Sequence, residues 1–144
     1  MPKFSKKLIE VSLPLPAISK AGAQFKYHRT GNPSSLHLWW SRKPSPVARA
    51  VLFAQMVDDP SSRPDLFPTV DMQNLERERL FKIIKGLVRW DKTGHDDVIH
   101  QAQVEINKSW QHACRLNQND PQAALLYNPD TLPAFHDPFA GGGA

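Results

Sequence analysis

The sequence predicts a mainly α N-terminal domain at residues 45–130, preceded by an extended basic arm at residues 1–44 and leading, at residues 131–144, into a short strand and a glycine loop. Three observations carry that expectation. Five prolines punctuate residues 1–44, two long stretches further on repeat apolar residues three and four apart, and a glycine triplet follows a brief apolar run near the last residues.

In the arm, Pro2, Pro14, Pro16, Pro33 and Pro44 leave no sustained helical period, so short strands or turns are expected. Ser45-Pro46 then supplies an N-cap and a first-turn proline for a buried helix over Val47 to Val57, which ends at Asp58-Asp59-Pro60 because proline disfavours helical geometry in the residue before it. Residues 60–72 have the prolines and serines of a loop. A second helix is expected from about Gln73 to Trp90, with Leu80, Ile83, Ile84, Leu87 and Val88 inward and Glu76, Arg77, Glu78, Arg79, Lys82 and Lys85 covering the other side. Past Gly94, a third helix from about Asp96 to Leu116 keeps Ile99, Ala102, Ile106, Trp110 and Ala113 on one face, and the two should pair as a hairpin. Asp120-Pro121 repeats the capping signal for a short fourth helix through Leu126.

Composition narrows the function classes. With 40% hydrophobic and 22% charged residues the chain reads as a soluble globular protein, and no apolar run approaches the roughly 18 residues of a membrane span. No membrane partner is expected, and the cytoplasm is the default compartment. The one cysteine, Cys114, excludes an internal disulfide or a cysteine-pair zinc ribbon and reads as an inert, partly buried thiol. His95 and His100, five apart, and His112 near Cys114 do not make a usual ligand pair, so no metal is expected. No serine, cysteine or carboxylate stands in a recognisable reactive setting, so no catalytic residue is assigned. Charge is uneven: residues 1–60 carry nine Lys/Arg against three acids, and the remainder nine against eleven. A basic leading segment suits a polyanion, equally with a merely solvated face.

Asp137-Pro138-Phe139-Ala140-Gly141-Gly142-Gly143 holds the most informative chemistry. Glycine lets the backbone take positive φ and present consecutive N–H groups to an anion. The stretch resembles the S-adenosylmethionine (SAM) motif of amino-methyltransferases acting on DNA, Asp-Pro-Phe-x-Gly-x-Gly, and lacks the Gly-Lys-Ser/Thr ending of a P-loop. That resemblance implies a cofactor-binding role for Asp137, Pro138, Phe139, Gly141 and Gly143. His136 stands where the family usually has an aliphatic or aromatic residue.

A second resemblance runs from about residue 8 to the end. Leu8-Ile9-Glu10, Leu13 to Ile18, Asn32 to Pro44, Ala48 to Ala54 and Asp58-Asp59-Pro60 are similar to the uncharacterised N-terminal domain of large bacterial and archaeal proteins described as adenine-specific DNA methylases. It implies that residues 131–144 are the first strand and loop of an α/β Rossmann-like methyltransferase domain cut within the glycine loop, with the C-terminal methyltransferase region and DNA as partners and SAM as cofactor. By the same resemblance His37, Trp39, Trp40, Arg42 and Lys43 could cross the SAM pocket or meet a DNA phosphate; equally, the tryptophans could anchor the arm in the core while the cations reach solvent. The implied reaction is methyl transfer to an exocyclic amine, most simply adenine N6 on a flipped base. The Asn/Asp-Pro-Pro-aromatic segment such enzymes need is absent from residues 1–144, so these residues alone are expected to be inactive and to hold SAM weakly or not at all. The alternative is a non-catalytic nucleic-acid-binding or assembly domain.

Overall fold

A computed structural model describes residues 3–27, 44–89, 95–134 and 136; the side chains of residues 26, 27 and 95 are outside that set. In chain order the helices are α1 (Leu8–Val11), α2 (Leu15–Tyr27), α3 (Ser45–Met56), α4 (Val70–Leu87), α5 (His95–Leu116) and α6 (Ala123–Leu126), with a 3₁₀ turn at Pro60–Ser62. Among the described residues there is no strand, only an isolated antiparallel bridge between Lys7 and Asp58.

The extended arm is corrected by α1 and α2. Pro14 sits just before α2, where its carbonyl accepts from Ala17 and Ile18, and Pro16 lies in the first turn, where a missing N–H breaks no helical bond. Pro14, Ile18 and Gly22 are buried at four-residue spacing. That stripe is hard to read from sequence because two of its three members are a proline and a glycine. Gly22 lets α3 come close: a Cβ built there would stand 3.0 Å from Val47 Cγ2.

Helix α3 is the centre of the domain, touching α1, α2, α4 and α5. Its first-turn carbonyl acceptor is Pro44 and not the expected Ser45, since Val47 and Ala48 both donate to the Pro44 oxygen. Phe53, Ala50 and Ala54 are buried in a core with Leu8, Leu80 and Ile84. Small alanines on α3 allow its neighbours to approach, and Phe53 fills the remaining volume.

The expected α4–α5 hairpin forms. Helix α4 begins three residues earlier than expected because the Thr69 hydroxyl accepts from Met72 N–H. Its inward residues Leu80, Ile83, Ile84 and Leu87 are buried as their period requires. Gly86 lets the two helices come close, since a Cβ there would fall 2.9 Å from Val98 Cγ1. Gly86→Leu is therefore expected to destabilise the domain by about 1–3 kcal/mol through overpacking, a loss read directly from thermal unfolding by circular dichroism.

Helix α6 follows a turn that Asp120 ties by accepting from Gln122 N–H at 2.9 Å. The strand and glycine loop expected at 131–144 lie largely outside the described residues; Ala134 and His136 stand in no regular element.

Candidate functional site

Where α3 ends, the chain turns through Asp58 and Asp59, and both carboxylates face inward. The local cause is Pro60, which stops the helix, together with a bridge to the N-terminal segment: Leu8 N–H donates to the Val57 oxygen and Asp59 N–H to the Lys6 oxygen, each at 2.9 Å. The bridge and α1 place Lys7, and α5 places Ser109 and His112, around the same corner.

Asp59 is fully buried and is clasped by Arg77 from α4 through two bonds, Nε to Oδ2 and Nη2 to Oδ1, both 2.9 Å. It also accepts from Ser61 N–H at 2.9 Å. Burial pushes this carboxyl upward, but the Arg77 and Ser61 hydrogen bonds outweigh that and hold it below its usual 3.8. Arg77, expected on the outward face of α4, is thus a structural cation. Asp58 takes Lys7 Nζ at 2.6 Å and His112 Nδ1 at 2.8 Å, while its own N–H donates to Ser109 Oγ at 3.0 Å.

Ser5 Oγ approaches His112 Nδ1 at 3.4 Å, so a serine, a histidine and an aspartate meet in one place. They do not form a charge-relay array. Such an array needs the serine on one ring nitrogen and the carboxylate on the other, whereas here both share Nδ1. The corner's chemistry is that of a clamp, joining the N-terminal segment, α3, α4 and α5 through charge.

A second network lies between α4 and α5. Glu105 accepts from Arg79 at 2.9 Å and from Lys108 at 2.8 Å, and Arg79 also reaches Glu76. Burial again pushes Glu105 up, and the two cations bring it below the ordinary carboxylate range. At the N-terminus, Asn117 at the end of α5 holds Lys3 by both main-chain groups, accepting from its N–H at 2.7 Å and donating to its oxygen at 2.9 Å. Trp110 stacks on Tyr127, with ring centroids 6.0 Å apart, and donates to the Asn128 oxygen, fastening the segment after α6 against α5.

Cys114 is buried in α5, and burial pushes its thiol up, away from the reactive thiolate. Among the described residues no three His, Cys, Asp or Glu side chains could share a metal ion, and no helix is long and apolar enough to cross a membrane. The residues singled out from the sequence, His37, Trp39, Trp40, Arg42, Lys43, Asp137, Pro138, Phe139, Gly141 and Gly143, all lie outside the described residues. Conversely, Asp58 and Asp59 read from the sequence only as a helix stop; two adjacent acids closing an apolar helix are the signal that could have pointed to an ionic corner.

Fold and site together define a helical module stitched by buried ion pairs, with Asp59 and Arg77 as its most enclosed pair. The chain belongs to the family described as Protein of unknown function (DUF1156), whose model matches residues 12–83, half of its length. No curated protein and no solved structure matches the chain. The matched span contains Asp58, Asp59 and Arg77, whereas the partners of Asp58, Lys7 and His112, stand on either side of it.

Proposed function

We propose that this chain is the N-terminal portion of a SAM-dependent DNA methyltransferase acting on adenine N6, and that its helical module contacts and positions DNA while the chemistry belongs to the methyltransferase region. The glycine sequence Asp137 to Gly143 supports the methyltransferase part of the reading.

The observation that carries the DNA-contacting part is the fate of the acids in residues 1–60. Asp58 and Asp59 are buried in ion pairs, whereas Glu10 stays exposed and charged while accepting from Lys7 N–H at 2.8 Å. Lys3, Lys6, Lys20 and Arg49 remain exposed. Among the described residues this segment therefore turns these cations to solvent against Glu10, an excess of positive charge that can release counterions from a phosphate backbone.

The test is fluorescence anisotropy of a labelled DNA duplex titrated with the chain across a salt series. Binding is expected to weaken linearly in log salt, and Arg42→Ala with Lys43→Ala should lower the slope by about two units, near one for each phosphate no longer neutralised. Duplex affinity that ignores salt, or none at all, removes the reading. Leu66, Val70 and Leu75, more than half exposed, favour the second reading of an assembly domain, for which light scattering should show mass rising with protein concentration.

A further inference from the structure

Beside α5 runs an open groove of about 510 Å³, bounded on its other side by the loop after the Asp59 corner. Arg63 lines it from the loop and Lys108 and Arg115 from the helix, together with Asn107 and Gln111, whose amide donates to the Pro129 oxygen at 2.7 Å. Lys108 and Arg115 are seven residues apart, two helical turns, so they stand about 10 Å from each other along one stripe. Leu66 and Val104, both partly exposed, give the groove an apolar floor. Among the described residues no carboxylate lines it.

The acids beside it are already committed. Asp65 is held bidentately by Arg63, and that hydrogen-bonded guanidinium keeps its carboxyl below the usual range. Glu105 is largely buried and shared between Arg79 and Lys108, one carboxylate against two cations. The Lys108 side chain is 63% exposed, and an ion pair so exposed is weak in water, leaving its ammonium free to exchange Glu105 for an incoming anion. Arg115 is exposed at the far end of the stripe.

We infer that this groove is a second phosphate-contacting surface, with Lys108 and Arg115 following one strand of a DNA backbone, Arg63 held against Asp65 at its edge, and Leu66 and Val104 against the sugars. Charge complementarity argues for that occupant: cations two helical turns apart on a face that no carboxylate lines among the described residues fit a polymer with one negative charge per nucleotide. The inference rests on the DNA-contacting reading and places a distinct part of that contact on α5, far along the sequence from the basic arm.

The duplex titration is repeated with Lys108→Gln plus Arg115→Gln, both exposed positions where folding should survive, and with Lys82→Gln plus Lys85→Gln on α4 as a control. The expected result is a fall of about tenfold or more in affinity and a salt slope lower by about two units for the α5 pair, with the α4 pair unchanged. If the α5 pair binds like the wild type while Arg42→Ala with Lys43→Ala still weakens binding, the groove proposal fails and the DNA-contacting reading stands. If the wild type binds no duplex, both fail. Poly-glutamate displacing the duplex at matched charge would show a carboxylate site and overturn the proposal. Circular dichroism melts of each variant confirm that only folded protein is compared.

Discussion

Arg77→Ala is expected to cost about 3–5 kcal/mol of stability, a large fraction of the roughly 5–15 kcal/mol typical of a folded domain. Asp59 has no exposed surface, and without the guanidinium its charge would stay buried with Ser61, through its N–H and its side chain, to meet it. The penalty comes from the stranded carboxylate more than from the lost attraction. Asp59→Asn with Arg77→Met should therefore recover most of the loss, since it removes both charges at similar volume. Urea unfolding of the single and double variants reads this directly.

The pH dependence has a definite sign. In the wild type the Asp59 carboxyl titrates below its unfolded value, so its contribution is present above about pH 4 and is lost as pH falls through the folded value. In Arg77→Ala the remaining influence is chiefly burial, which raises the pKa, so the folded variant binds its proton more readily than the unfolded chain does. The stability gap between the two proteins should begin to narrow above about pH 4, as the variant's carboxyl takes up its proton, and narrow further below about pH 4 as the wild type loses its contribution. A gap that widens there would show that Asp59 and Arg77 are not the enclosed pair described.

Asp58→Ala is expected to cost somewhat less, about 2–3 kcal/mol, because the groups it strands can partly reach water. The Lys7 side chain is 30% exposed and that of His112 13%. The larger effect should be local. Asp58 links the N-terminal segment to α3 and α5, so its loss should loosen residues 3–11 while α4 and α5 stay paired. Trypsin should then cut faster after Lys6 and Lys7, with the rate at sites in α4 nearly unchanged. Equal acceleration at all sites would mean that the corner holds the whole domain and not only its leading segment.

Much of the helical architecture was legible in the residues. The three- and four-residue spacing from Leu80 to Val88 and from Ala102 to Ala113 declared α4 and α5, because a helix buries neighbours on one face whatever lies opposite. Helix α2 was not legible. Its prolines read as breakers although both sit where a first turn tolerates them, and its contact stripe of Pro14, Ile18 and Gly22 carries too few large apolar side chains to show a period. The candidate site divides the same way. The glycine sequence and the paired tryptophans are visible as motifs because their chemistry is written in adjacent residues. The clamps of Asp58 and Asp59 are not, since Lys7 is 51 residues and Arg77 18 residues from its carboxylate partner.

From sequence alone came the helix periods, the stop at Asp58-Asp59-Pro60, the excess of cations in the first sixty residues and the expectation, carried into the proposal, of a cofactor loop at residues 137–143. Tertiary structure alone decided which charges face water. Local periodicity follows from neighbours three and four apart, but the burial of a carboxylate depends on which distant cation packing brings to it. In this chain packing turns Asp58 and Asp59 inward against Lys7, His112 and Arg77, and leaves Lys20, Arg49, Lys108 and Arg115 outside.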